Sequence, residues 1–142
     1  MSLVVVDTSV VLKWVLNEPG HPEALDLLRQ HLEAKVTLTA PDVVMAEAAS
    51  ALAKRTRRGI LSPAQAGKAF AYLTDFRIQL EDTAPLVQKG LRLALTDSIS
   101  LWDALFLVLA TELHCPLISA DKRFCNAAKP IYEGITLLQP QS

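Results

Sequence analysis

Short β-branched runs alternate along this chain with longer stretches of helical period. Residues 3–7 (LVVVD) form an apolar run of strand length that ends on a carboxylate. Residues 9–18 take up a helical pattern, with Ser9 as the expected N-cap and Pro19-Gly20 as the stop. A second helix is expected over 21–34, with Leu25, Leu28 and Leu32 on one stripe, and a second strand over 36–40. Pro41-Asp42 opens a helix to about Arg58 that Gly59 closes. Ser62-Pro63 opens another, to about Asp75. A third strand is expected at 77–81, a helix at 85–96, and the most apolar helix of the chain from Ser100 to near His114. Strands at 116–120 and 134–138 complete the series. Strands separated by helices imply an α/β fold, a parallel sheet with helices on both faces, with sites at the carboxyl ends of its strands. No linker, repeat or low-complexity segment interrupts the pattern, so residues 1–142 are expected to form one domain.

Composition narrows the class. Apolar residues make up 51% of the 142 positions and mean hydropathy is +0.27, values that argue against a disordered chain. The longest apolar stretches are broken before the ~20 residues a membrane span needs. The N-terminus shows no basic leader ahead of its first strand, and no membrane segment and a cytoplasmic location are expected. Cys115 and Cys125 are too few for a disulfide framework, lack metal-motif spacing, and read as buried or inert thiols. A net charge of −1 gives no global case for nucleic-acid binding, which must then rest on a local basic patch. The high apolar fraction leaves room for a partner-binding face, which composition alone does not locate.

Four carboxylates carry the chemical argument. Asp7 and Asp121 sit at the ends of expected strands, where Asp is also a common turn-former. Glu47 lies in or beside the apolar stripe of its helix: it shares a face with Val43 and Ala51 and is flanked by Val44, Ala48 and Leu52. A carboxylate there is costly unless compensated; it is a snorkelling edge residue, a buried ion pair or a functional group. Asp103 is the only charge in SLWDALFLVLA, and Ser100 three residues earlier makes an acidic capping box an equal reading. Capping and chemistry are compatible there, because a capped helix holds its carboxylate in a fixed direction. All four can converge on one crevice. Unaided, four such acids would repel and push one another's pKa upward. Oxygen ligands of this kind suit Mg²⁺ or Mn²⁺, and an acidic cluster holding such ions can activate water for phosphoryl displacement.

Competing motifs are missing. There is no GxxxxGK[ST], GxGxxG or GxSxG, and His21, His31 and His114 have no zinc spacing. Ser9 stands where a haloacid-type phosphotransfer site wants a second Asp, and no acidic pair of a receiver domain is present.

In this order and spacing, VVVDTSVVLKW, APDVVMAEAASALAKRTRRG, SLWDALFLVLA and PLISADKRF resemble the PIN-domain ribonucleases, especially the toxins of VapBC toxin–antitoxin pairs. The resemblance covers nearly the whole chain. It implies a three-layer fold with a five-stranded parallel sheet of order 3-2-1-4-5, and assigns Asp7, Glu47, Asp103 and Asp121 to the metal-binding acidic positions. Ser9 and Ser119 match small polar positions near that site. Trp102 departs from the pattern, which more often has Tyr before the Asp. The resemblance further implies Mg²⁺- or Mn²⁺-dependent RNA hydrolysis, a cognate antitoxin and a homodimer, with the helices at 42–58 and 62–75 as candidate surfaces. Lys54, Arg55, Arg57 and Arg58 are candidate phosphate contacts, or simply cations at a helix C-terminus. Lys13 and the Lys122-Arg123 pair are alternatives. A non-catalytic RNA- or protein-binding module and a DNA nuclease of similar chemistry stay open, since RNA over DNA rests on the resemblance.

Overall fold

The computed structural model describes residues 2–138. Strand β1 (Ser2–Val6) is buried on both faces at Val4, Val5 and Val6, as its unbroken apolar run requires of a central parallel strand. It pairs in parallel with β2 (Val36–Pro41) on one side and β4 (Leu117–Ser119) on the other. β3 (Gln79–Glu81) extends the sheet beyond β2, and β5 (Ile135–Leu137) extends it beyond β4, both again in parallel. The order is therefore β3-β2-β1-β4-β5, as the resemblance implied.

Seven α-helices connect these strands among the described residues: α1 (Thr8–Lys13), α2 (His21–Leu32), α3 (Val43–Arg57), α4 (Pro63–Asp75), α5 (Val87–Thr96), α6 (Leu101–Leu113) and α7 (Lys122–Ala128). α1 packs on α2 and α3, and α3 on α4. α6 lies across β1, β2 and β4 with α5 outside it, and seven consecutive residues, Ala104 to Ala110, are buried. That all-round burial is why it is the most apolar helix of the chain. β1 crosses over to β2 and β4 to β5 in opposite directions, so the crevice beyond the carboxyl ends of β1 and β4 is a topological switch point.

Four expectations need correction. First, α1 is capped by Asp7, whose side chain accepts from the Val10 N–H, and not by Ser9. It also ends at Lys13 rather than near 18, because the Lys13 carbonyl accepts from His21 Nδ1 at 2.5 Å instead of continuing a helical ladder. Second, α2 buries Ala24, Leu27 and Leu28, while Leu32 is exposed in the last turn, where the chain folds back through Ala34 at φ 60°. His31 secures this return, accepting from the Leu38 N–H at 3.1 Å and meeting the Arg77 carbonyl at 3.2 Å. Third, Pro41 belongs to β2, and the Asp42 carboxylate takes the Thr83 hydroxyl and N–H rather than capping α3. Fourth, α7 was not expected at all. By contrast, Gly59 ends α3 at φ 75°, and Ser62 and Gln65 form a complete capping box at α4.

No single helix among the described residues is long and apolar enough to cross a membrane. Both cysteines are free and buried.

Candidate active site

The ends of β1 and β4 are tied together by two serines. Ser9 Oγ donates to Asp7 Oδ1 at 2.5 Å and accepts from the Ala120 N–H at 2.8 Å. Ser119 Oγ accepts from the Asp121 N–H at 3.0 Å and lies 3.4 Å from Ser9 Oγ. Both positions that the resemblance marked as small and polar thus orient the strand-end acids and their backbone.

Asp7 is 4% exposed. Burial pushes its carboxyl up to about 6, against the pull of hydrogen bonds from Ser119, Ser9 and the Val10 N–H; the charge of Asp121 adds to the rise. Asp103 is also pushed up to about 6, first by burial and then by the charges of Asp7, Asp121 and Glu47, while the bond to Ser100 opposes the shift. Only half of the capping box forms there: Ser100 Oγ accepts from the Asp103 N–H at 3.1 Å, and the Asp103 carboxylate has no protein hydrogen bond among the described residues. Glu47, in the second turn of α3, is half-buried and raised by burial, and its Oε1 accepts from the Thr8 hydroxyl at 2.8 Å. Asp121 is exposed and caps α7, accepting from the Phe124 N–H at 3.2 Å.

All four acids line one cleft of about 240 Å³, floored by Leu12 and Phe106. Among the described residues, no group of three or more His, Cys, Asp or Glu is arranged to hold a metal ion as it stands. Asp7, Glu47 and Asp121 each accept a hydrogen bond from a donor of the protein in this arrangement. The donor chemistry fits a hard divalent cation, since the polar side chains lining the cleft are carboxylates and hydroxyls and at least three of the acids are disfavoured as free anions.

The basic candidates separate. Lys54 and Arg55 line a second cleft of about 550 Å³ that shares Glu47 with the first. Arg123 lines a third, of about 330 Å³, which shares Asp103 and Asp121. Lys13 and Arg55 both engage Glu18, at 3.9 and 3.0 Å. Arg57, Arg58 and Lys122 are exposed and line none of these clefts. Thr8 and Glu18 were missed by the sequence reading. Thr8 carried a signal, standing between Asp7 and Ser9 at the first position of α1; Glu18 carried none.

A parallel α/β sheet with carboxylates gathered at its switch point defines a class of acid-cleft domains. The chain belongs to the PIN-domain family, whose pattern its sequence matches over residues 4–130. PIN domains are in general nucleases. Three solved structures share the fold. One is PAE2754 of Pyrobaculum aerophilum, with TM-score 0.72 and 18% identity, covering 96% of this chain and 91% of the other. Another is VapC20 of Mycobacterium tuberculosis, a toxin that cleaves the sarcin–ricin loop, with TM-score 0.63 and 17% identity, covering 87% and 94%. The third is a domain of a functionally unknown protein of Methanocaldococcus jannaschii, with TM-score 0.55 and 19% identity, covering 100% and 94%. No curated protein matches the sequence.

Proposed function

We propose that this protein is a metal-dependent endoribonuclease and the toxin of a type II toxin–antitoxin pair. The observation that carries the reading is the cleft in which Asp103 feels the charges of Asp7, Asp121 and Glu47, set at the switch point of a PIN fold. Asp7, Asp103 and Asp121 are the residues that would hold one or two Mg²⁺ or Mn²⁺ ions, with Glu47 as a further ligand or as the orienter of the attacking water. Bound there, such an ion supplies the positive charge that keeps the acids ionised and offsets the charge building on the phosphoryl oxygens.

The reaction is hydrolysis of a phosphodiester. A water oxygen bonds to phosphorus, the bond to the leaving ribose oxygen breaks, and the water's proton is lost while the leaving oxygen gains one. Ser9 and Ser119 hold Asp7 and the 119–121 backbone in place for this, and Thr8 holds Glu47. RNA as substrate is supported by the family and by the likeness to VapC20. The protein acts in the cytoplasm, is checked by a cognate antitoxin, and pairs with itself through α3 and α4, where Tyr72 of α4 and Ile60 of the connection between them are exposed.

Purified protein is expected to cut single-stranded or looped RNA, a sarcin–ricin loop fragment among the substrates tried, when Mg²⁺ or Mn²⁺ is present and not in EDTA. Equal cleavage by the wild type and an Asp7→Asn variant would assign the activity to a contaminant and leave a non-catalytic binding module.

A further inference from the structure

Trp102 is 53% exposed although it precedes Asp103 on the most buried helix of the chain. Successive helical positions are about 100° apart, so the indole and the Asp103 carboxylate face different clefts from one turn of α6. Trp102 borders the 550 Å³ cleft with Val43, Ala46 and Ala51, and Glu47 belongs to both that cleft and the acid cleft. The cleft therefore adjoins the proposed reaction site at Glu47. Its far end carries two cations of different availability. Arg55 is already paired with Glu18 at 3.0 Å, whereas Lys54 is exposed and has no ion-pair partner among the described residues. A large apolar ring left in water, small side chains leaving a slot beside it and one free cation beyond suit an unpaired base followed by its phosphate.

We infer that Trp102 is a specificity-determining platform on which one unpaired base of a single-stranded nucleic acid stacks, next to the scissile phosphate, with Lys54 contacting the backbone beyond it. The inference rests on the nuclease reading and deepens it. The favoured occupant is nucleic acid rather than a protein segment, because a strand whose phosphate lies among the acids must continue into an adjoining cleft, and this one holds a free cation.

The test is an abasic scan. Single-stranded RNA oligonucleotides carrying a terminal dye, each with one nucleotide made abasic, are titrated into wild type, Trp102→Leu and Trp102→Phe, with binding in EDTA read by dye anisotropy and, in wild type, also by tryptophan emission. Cleavage of the same oligonucleotides with Mn²⁺ follows. Binding is expected to quench wild-type emission. Trp102→Leu should weaken binding of the intact strand on the order of tenfold and raise KM similarly, with Trp102→Phe recovering most of the loss. At one abasic position, Trp102→Leu should cost nothing further. Equal losses on intact and every abasic strand, or no loss at all, overturn the stacking role while leaving the nuclease reading standing. A variant that binds and cleaves RNA normally but escapes inhibition by a co-expressed antitoxin assigns the cleft to a protein and also overturns it. Failure of the wild type to bind or cut any strand removes both readings, and no comparison of variants is then needed to see it.

Discussion

Thr8 donates its hydroxyl hydrogen to Glu47 Oε1 at 2.8 Å, joining the first residue of α1 to the second turn of α3 across 39 residues of sequence. The bond opposes the upward push of burial on the Glu47 carboxyl. Thr8→Val keeps the shape of the side chain and removes the donor, so Glu47 should hold its proton to higher pH. Cleavage by Thr8→Val is expected to fall on the order of tenfold on the acid side of the pH profile and less on the alkaline side. A loss uniform across pH would show that Thr8 matters only for packing.

Stability without metal should depend on pH in a defined direction. Asp7 and Asp103 are both raised to about 6, above the ordinary value of 3.8. A carboxyl raised by folding binds its proton more tightly in the native state. Its contribution is therefore complete below the unfolded value and lost as pH rises through the folded one. For buried Asp7 the loss is roughly 3 kcal/mol. Thermal melts in EDTA should give a lower Tm at about pH 8 than at about pH 5, and Asp7→Asn should flatten that slope. A wild-type Tm independent of pH would contradict the assigned environments.

Divalent metal should reverse this loss. Mn²⁺ or Mg²⁺ binding to the folded acids stabilises by about 2.7 kcal/mol at a hundredfold excess over Kd, or several degrees of Tm. The rise should be larger at alkaline pH, where no proton has to leave first. Ca²⁺, K⁺ and water controls separate a specific site from general salt effects. A rise that survives Asp103→Asn unchanged would place the ion elsewhere.

Choice of substitution matters at Asp7. It caps α1 and is buried, so Asp7→Ala combines the loss of a ligand with the loss of a cap worth about 0.5–2 kcal/mol. Asn also caps helices. Asp7→Asn should therefore lower cleavage on the order of a hundredfold or more while the melt in EDTA holds or improves. A cooperative unfolding transition at markedly lower temperature would mark Asp7 as chiefly structural.

Ser9 gives a separate structural check. Ser9→Ala leaves the Ala120 N–H without its 2.8 Å acceptor and removes a donor from Asp7. Destabilisation of about 1–3 kcal/mol is expected by chemical denaturation. A change within about 0.5 kcal/mol would mean that another group replaces the hydroxyl.

The elements legible in the sequence are those with one dominant local cause. The β1 run of valines, the Ser62-Pro63 helix start and the Ser100 cap all read correctly because pattern and cap agree. α7 was not legible: it is seven residues long, starts with Lys122 and Arg123 against the helix dipole, and contains Cys125 and Asn126. The early stop of α1 depends on His21 reaching back to Lys13, and the role of Asp42 on Thr83, a contact across 41 residues. The first is a side-chain reach that hydrophobic periodicity does not report, and the second lies outside any local window. The same holds at the site. Glu47 and Asp103 were visible as misplaced charges, and Asp7 and Asp121 as strand-end acids, but the Thr8 tether and the capture of Arg55 by Glu18 join segments far apart in sequence.

The Ser9–Ala120 bond spans 111 positions, linking the first turn of α1, just after the first strand, to the segment after the fourth. Until β4 has been made and docked beside β1, Asp7 has neither its serine support nor the neighbouring charge of Asp121, and the cleft has no second wall. Through most of elongation, therefore, the chain lacks the assembled acid cleft. The sequence separation of its carboxylates works as a timer: whatever chemistry the cleft performs begins only once the fourth strand has been made and docked.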